Sequence, residues 1–355
     1  MIFDGIILTC VSNLNGERTA SSIYHLVKGK KSIQTIQDAH IYQLDKFYGI
    51  HSHLTKERFN KNLSALVTAG LLKPVGTKDG VFQLTTHAVN WLDNHREQLK
   101  IDYFHGLTYN GTANSFFLRL LLLIQTLTNT KMDHYHFIPV TDNYHVERWV
   151  KQVYRKINNN QEKALESLYI ELYSILKKLP DKDASVFVDR LTGYQNYGLS
   201  TNQLSDKYNL SADDVHLILT GVIHYLLSTI QEKEGNYPIL SYIVKDLDKA
   251  VQITHSASIT SELLSKNYTI EQISAMRNLK INTIYDHIVE LALYEANFQV
   301  DEYISQEEQE EVLTVLNNVN SYKLKDIKNS VNTNISYFQI RLVLAVNKKL
   351  LSQGD

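Results

Sequence analysis

Apolar residues recur at helical spacing along most of the chain, and strand-like runs are confined to one short stretch. Two short apolar runs, 71–75 and 81–84, flank the glycine-containing segment 76–80, which predicts a β-hairpin. Helix-like periodicity precedes this hairpin three times. Three helices followed by a hairpin is the element order of a winged helix, so the pattern predicts a winged-helix-like domain over 1–96. The three predicted helices cover 17–31, 32–49 and 55–70.

The clearest helical pattern lies in 257–294 and has the form of a helix-turn-helix. Thr269 and Gln272 have the spacing of a capping box at the start of its short second helix. Apolar residues of the third helix recur at i, i+4 and i+7, starting from Ile284. The N-terminal end of that helix is predicted to face outward, where a recognition helix meets base edges in the major groove. A three-helix packing unit without nucleic acid gives a similar pattern. The outward residues are Asn282, Thr283, Tyr285 and Asp286.

The middle of the chain, 97–250, is predicted to be a helical domain. Residues 116–127 are apolar on nearly all sides, which is typical of a central buried helix. Arg119 lies inside that run, so it needs a partner or must extend to the surface. The fold class predicted for the whole chain is mainly α, with several domains and a C-terminal helix-turn-helix domain over 251–355.

A second helix-turn-helix-like unit is predicted within this middle domain. Ser200 and Gln203 have the spacing of another capping box, and a second helix begins after Ser211. The outward face of that helix is predicted to begin with Asp213 and Asp214. Because carboxylates repel phosphates, we interpret this unit as structural or as a protein-docking surface rather than a DNA contact.

Charge is distributed unevenly, although the formal net charge is only −2. Residues 17–80 hold ten Lys and Arg against five Asp and Glu, and residues 320–350 hold six against one. Between them, 295–311 holds seven acidic residues and no basic one. Two basic ends around an acidic centre predict two phosphate-facing patches, with ordinary solvated surfaces as the alternative.

The sequence carries no motif for catalysis, a cofactor or a metal. It lacks the GxxxxGK[ST] phosphate loop and the Rossmann glycines, so no nucleotide site is predicted. Cys10 is the sole cysteine, which excludes an intramolecular disulfide and a Cys-based zinc site. His134, His136 and His145 lack a metal-binding motif and are predicted to be surface or capping residues. No signal peptide or membrane span is predicted, and a cytoplasmic location is expected.

The C-terminal region resembles the helicase helix-turn-helix domain, which also occurs near the C-termini of some RecQ-type helicases. The similarity is carried by TSELLSKNYTIEQISAMRNLKINTIYDHIVELALY and by LKDIKNSVNTNISYFQIRLVLAV, within 257–347. The N-terminal segment RTASSIYHLVKGKKSIQTIQDAHIYQLDKFYG resembles the start of the YpbB-like family of Gram-positive bacteria. That resemblance implies DNA binding and cooperation with a RecQ-type helicase. The helix-turn-helix positions it carries over, as scaffold and groove-facing residues, are Ile270, Ile273, Thr283, Ile284, His287 and Ile288.

The basic clusters and the two recognition-type helices together define the candidate DNA contacts. In the N-terminal domain these are Lys28, Lys30, Lys31, Lys56, Asn60, Lys61 and the wing residue Lys78. In the C-terminal domain they are Lys280, Asn282, Thr283, Tyr285, His287, Lys323, Lys325 and Lys328.

The first functional hypothesis is a non-enzymatic DNA-binding accessory protein that works with a RecQ-type helicase in DNA repair or recombination. A sequence-specific transcription regulator would use the same modules, and would dimerise on a palindromic operator. A protein-binding adaptor without DNA contacts is the third hypothesis, since a fold does not fix a function.

Overall fold

The chain is mainly α-helical, as the periodicity predicts. The computed structural model describes residues 1–76, 79–247, 253–295, 297–319 and 321–347. The first part of the chain forms α1 (Ile2–Leu14), α2 (Ala20–Lys28), α3 (Ile33–Ile41), α4 (Lys56–Thr68), β1 (Leu72–Pro74), β2 (Phe82–Leu84) and α5 (Thr86–Leu99). The middle part forms α6 (Gly106–Tyr109), α7 (Thr112–Lys131), α8 (Tyr144–Ile157), α9 (Gln161–Leu176), α10 (Asp181–Asp189), α11 (Thr201–Tyr208), α12 (Ala212–Glu232) and α13 (Pro238–Val244). The last part forms α14 (His255–Ser265), α15 (Ile270–Arg277), α16 (Ile281–Tyr294), α17 (Gln306–Val319), α18 (Leu324–Ser330) and α19 (Tyr337–Val346).

These elements group into two compact units that do not follow chain order. Unit 1 comprises Met1–Ile7, Gly49–Leu54 and Asn90–Ala250. Unit 2 comprises Leu8–Tyr48, Thr55–Val89 and Val251–Asp355. Most of the N-terminal winged-helix region and the whole C-terminal region therefore share one unit, a grouping that the three predicted domains do not contain.

The winged-helix element order is confirmed in unit 2. Strands β1 and β2 pair antiparallel with Leu72 opposite Leu84 and Pro74 opposite Phe82. Gly70 follows α4 with a φ of 67°, a left-handed conformation that glycine adopts without strain and that turns the chain into β1. The helix predicted over 32–49 is shorter than expected, because α3 ends at Ile41 and a 3₁₀ turn follows.

A shared apolar core joins the winged helix to the C-terminal helix-turn-helix within unit 2. The cluster is centred on fully buried Ile284 and Ile288 of α16, and on Leu342 of α19. Half-buried Ile33 and Ile36 of α3 pack against this cluster. Removing these apolar side chains from water is the dominant stabilising contribution to such a contact. The packing gives a physical reason for the two ends of the chain to fold as one unit.

The predicted central helix of unit 1 is α7, and its buried arginine has a partner. Arg119 is 8% exposed and forms a bidentate ion pair with Asp246, with N–O distances of 2.5 and 2.9 Å. The guanidinium also donates to the Ile243 carbonyl at 3.0 Å and lies 4.4 Å from the Trp149 ring centroid. Its proximity holds the pKa of Asp246 below the usual value.

Replacing Arg119 by Met is expected to destabilise unit 1 by about 2 kcal/mol, because charged hydrogen bonds and the ring contact are lost. The loss stays moderate because the Asp246 side chain is 57% exposed and can regain water. Urea unfolding of the full chain measures the change. Arg148→Met on exposed α8 surface is the control, and an equal effect of both variants would contradict the role of the Arg119 contacts.

Candidate nucleic-acid interface

The C-terminal helix-turn-helix has the predicted helix caps and turn. The Thr269 side chain accepts from the Gln272 amide at 3.3 Å, and the Gln272 side chain accepts from the Thr269 amide at 2.9 Å, which completes the capping box. Asn278 ends α15 with a left-handed φ of 49°, a conformation that asparagine tolerates. Ile273 and Ile284 on either side of the turn are fully buried. The turn therefore fixes the direction in which the N-terminal end of α16 is presented.

The exposed surface at that end of α16 is smaller than predicted. Lys280 and Asn282 are exposed, and Thr283 is half-buried. Tyr285 stacks on Phe338, with ring centroids 4.1 Å apart, so its ring already has a partner. These three polar residues, Lys280, Asn282 and Thr283, are available to a ligand.

His287 is placed in the interior, which corrects its predicted position on a groove-facing surface. It is 8% exposed, and its Nδ1 lies 2.8 Å from the Thr260 hydroxyl. Arg277 hydrogen-bonds to the same Thr260 hydroxyl and donates to the Ser256 carbonyl at 2.8 Å. Burial and then the charge of Arg277 lower the pKa of His287. The residue therefore belongs to a buried network that joins α14, α15 and α16.

The predicted contact residues of α4 are all exposed. Only Phe59 and Leu66 of this helix are buried. Its polar face carries Lys56, Asn60 and Lys61. The predicted wing residue Lys78 lies outside the described residues.

The basic cluster between α2 and α3 lies close to the start of α4. Lys30 and Lys31 are exposed, and the Lys28 ammonium donates to the Tyr24 hydroxyl at 3.2 Å. Burial lowers the pKa of His25, and the charges of Lys30, Lys56 and Lys28 lower it further in that order. Tyr24 of α2 also meets Phe59 of α4, with ring centroids 5.7 Å apart, so the lysines after α2 and those at the start of α4 lie in neighbouring parts of unit 2.

The C-terminal lysines divide into two groups. Lys323 is half-buried and Lys325 is exposed, and both line a groove with Lys30 of the winged helix. Lys328 instead donates to the carbonyls of Thr333 and Ile335, at 2.8 and 2.6 Å. Lys328 thus ties α18 to the turn before α19, and its charge is directed at backbone oxygens.

Sequence reasoning missed the hydroxyl-bearing residues of this groove. Ser21, Ser22 and Thr35 line it beside Lys30 and Lys325. The signal for Ser21 and Ser22 in the sequence is the polar segment RTASS, in which Arg18 and Thr19 directly precede α2. Their placement opposite α18 depends on a tertiary contact and could not be read from that segment.

The middle helix-turn-helix places its acidic residues inward, so their predicted outward orientation is wrong. Asp213 and Asp214 are 6% and 3% exposed. An Asp213 carboxylate oxygen lies 2.8 Å from His51 Nε2, and Asp214 accepts from the Phe3 amide at 3.0 Å. Other parts of unit 1 therefore cover the start of α12, where a recognition helix would contact DNA. This favours the structural interpretation of the middle unit.

Among the described residues, no three His, Cys, Asp or Glu side chains are arranged to hold a metal ion. No single helix in the described ranges is both long and apolar enough to cross a membrane. Only the pair α11 and α12, bent by 102°, meets that criterion of length and composition jointly.

Comparison with known proteins identifies the two modules. A model of the RQC domain, the RecQ C-terminal type, matches residues 6–104, and a helix-turn-helix domain model matches residues 256–344. Over 343 residues the chain is 31% identical to Protein YpbB of Bacillus subtilis (strain 168), covering 96% of each chain. No solved structure matches the chain. The RQC and helix-turn-helix matches are of DNA-binding, helicase-associated types, and neither is catalytic.

Proposed function

The chain belongs to the YpbB family, and we propose that it is a non-enzymatic DNA-binding accessory protein that acts with a RecQ-type helicase in DNA repair or recombination. One observation carries the proposal. Most of the RQC-type module and the whole helix-turn-helix module lie in unit 2, and lysines of both modules line the same groove. A protein that neutralises phosphates with such lysines releases counterions, which is the main source of non-specific DNA affinity.

The accessory role rests on the kinds of module present. The matched modules are of helicase-associated types, and the sequence carries no phosphate loop that could bind the nucleotide of a helicase motor. A motor would therefore have to be supplied by a partner.

A fluorescence-anisotropy titration tests the DNA half of the proposal. Labelled duplex, forked and single-stranded DNA are titrated with the full chain at about 50 and about 200 mM salt, and affinity is expected to fall steeply between them. Lys56→Glu combined with Lys61→Glu should weaken binding about tenfold, because two phosphate contacts are replaced by repulsion. Lys163→Glu with Lys182→Glu, on exposed surface of unit 1, makes the same charge change and should have little effect. Absence of binding to all three DNAs at low salt contradicts the proposal.

The helicase half needs a separate measurement. Purified chain and a RecQ-type helicase are mixed after nuclease treatment and examined for a stable complex and for altered unwinding of a forked duplex. A change in unwinding by the wild-type chain supports the accessory role. Selection from random duplexes that enriches one inverted repeat would instead favour the transcription-regulator hypothesis. A helicase complex formed by a chain inert towards DNA would favour the adaptor.

A further inference from the structure

One groove in unit 2 is assembled from the two ends of the chain. It has a volume of about 640 Å³ and is bounded by α2, α3 and the start of α18. This volume lies in the range of sites for drug-sized ligands and exceeds what a single inorganic phosphate requires. Its lining includes Lys30 from the winged helix and Lys323 and Lys325 from the C-terminal module.

The wall formed by α18 is anchored to the winged helix by specific bonds. The Glu17 carboxylate accepts from the Tyr322 amide at 3.0 Å and from the Tyr42 hydroxyl at 2.7 Å. The Tyr322 and Tyr42 rings meet edge to face, with centroids 5.8 Å apart. Lys323 follows Tyr322 directly, so these contacts hold the two basic segments on opposite sides of one groove.

The acidic residues of the groove are already engaged. Asp38 accepts from the Arg18 guanidinium at 2.9 Å and from the Gln34 amide at 3.0 Å. Asp326 accepts from the Ser321 hydroxyl at 3.1 Å, and Glu17 makes the bonds described above. Within the described residues, no carboxylate lies at ion-pairing distance from the three groove lysines, Lys30, Lys323 and Lys325.

Hydroxyl groups supply the remaining polar lining. Thr19, Ser21 and Ser22 stand at the start of α2, and Thr35 stands in the first turn of α3. The Thr19 side chain makes no capping bond to α2. Lysines, hydroxyls and helix starts are the groups that contact phosphate oxygens in protein–DNA complexes, where they position the backbone without reading sequence.

We propose that this groove holds the phosphodiester backbone of a nucleic-acid strand between the winged helix and α18. The inference rests on the proposed function, and it specifies that unit 2 contacts the phosphodiester backbone of the DNA. Lys30 contacts the strand from one side and Lys325 from the other. Arg18, paired with Asp38 and lying 5.1 Å from the Tyr42 ring centroid, acts as a positioning residue for the winged-helix side of the groove. The groove would then bind DNA of any sequence, and exposed residues of α4 and α16 would supply further contacts.

Thiol protection tests occupancy of the groove directly. Cys10 is the sole cysteine and is fully buried, so Ser22→Cys introduces one accessible thiol at the groove. A single-stranded or duplex oligonucleotide at saturation should slow alkylation of this thiol about tenfold. Ser167→Cys on exposed α9 is the matched control and should be unaffected. Inorganic phosphate and a mononucleotide at equal ionic strength should give no comparable protection.

Charge reversal then assigns the contacts. Lys30→Glu and Lys325→Glu should each weaken binding about tenfold and reduce the salt slope by about one. Lys31→Glu, at an exposed neighbouring position outside the groove, is the matched control and should have a smaller effect. Circular dichroism confirms that each variant is folded.

The outcomes separate this inference from the proposed function. If DNA binds without protecting the Ser22→Cys thiol, the proposal that the groove holds the DNA backbone is wrong, whereas the proposal of DNA binding stands. Equal protection by inorganic phosphate or the mononucleotide overturns the backbone assignment in favour of a small-anion site. Equal effects of Lys31→Glu and Lys30→Glu overturn the role of the groove lysines. Failure of the wild-type chain to bind any DNA overturns both proposals.

Discussion

Lowering the pH from 7 to 5 should destabilise unit 1 by about 4 kcal/mol through two buried histidines alone. His216 and His224 have pKa values lowered to about 4 and about 3. In the unfolded chain both titrate near their ordinary value of about 6.5. Between pH 7 and 5 both histidines therefore become protonated in the unfolded state but remain neutral in the folded state. Their contribution to stability is complete above pH 6.5 and is lost as the pH falls towards 4.

The local structure explains why each ring stays neutral. Burial is the largest cause for both histidines. His224 Nδ1 accepts from the His105 amide at 3.1 Å, and protonation would remove that acceptor. The Ile50 carbonyl, 3.1 Å from His216 Nε2, raises the pKa of His216, but burial outweighs this bond. The His216 ring also stacks on His51, with centroids 4.3 Å apart.

Other groups near these rings modify the size of the effect. His51 and His53 lower the pKa of His216, whereas Asp213 raises it. Elsewhere in unit 1, burial raises the pKa of Asp183, so its protonation stabilises the fold as the pH falls. The difference between wild type and a histidine variant isolates the contribution of the two rings.

Urea unfolding at pH 7 and pH 5 measures the predicted loss. His216→Gln keeps a donor for the Ile50 carbonyl, and His224→Asn keeps an acceptor for the His105 amide, while neither residue titrates. The double variant should lose about 4 kcal/mol less than wild type over this interval. His134→Gln on exposed surface is the control and should retain the wild-type pH dependence. An unchanged pH dependence in the double variant would contradict the buried neutral state.

Local patterns predicted the helix-turn-helix and the hairpin well, because their information lies in short spacings. The capping box of Thr269 and Gln272 needs only three residues of sequence, and the wing needs only its glycine-containing turn. The burial of His287 can also be predicted from the sequence, because His287 lies three positions after Ile284 and therefore on the same face of the helix. The prediction of His287 as a DNA contact comes from the family resemblance and not from this spacing.

The features that the sequence does not predict depend on contacts between residues that are far apart in the chain. The inward orientation of Asp213 depends on His51, 162 positions earlier in the chain. The groove depends on Tyr322 meeting Glu17, 305 positions away. Charge counting identified both basic segments but could not bring them together, because a one-dimensional count carries no information on tertiary contact.

Replacing Ile288 by Ala is the second large effect, expected to cost unit 2 about 3 kcal/mol through lost burial and a residual cavity. Ile288 is fully buried in the core that joins the two modules. Because Ile33 and Ile36 of α3 pack against that core, the loss of hydrogen-exchange protection should extend into the winged helix. Native-state hydrogen exchange measures both effects, with Ile281→Ala, at a 40% exposed position of the same helix, as the control.

The set of helices that lose hydrogen-exchange protection in Ile288→Ala decides whether the two ends of the chain bind DNA as one folded unit. If protection falls in α14–α16 and also in α2 and α3, the modules unfold together, and the groove between α2, α3 and α18 is as stable as the shared core. DNA affinity of Ile288→Ala should then fall more steeply on warming than that of Ile281→Ala. If protection falls only in α14–α16, the modules open independently. In that case Lys30 and Lys325 are not held on one rigid support, and each module would have to bind phosphates by itself.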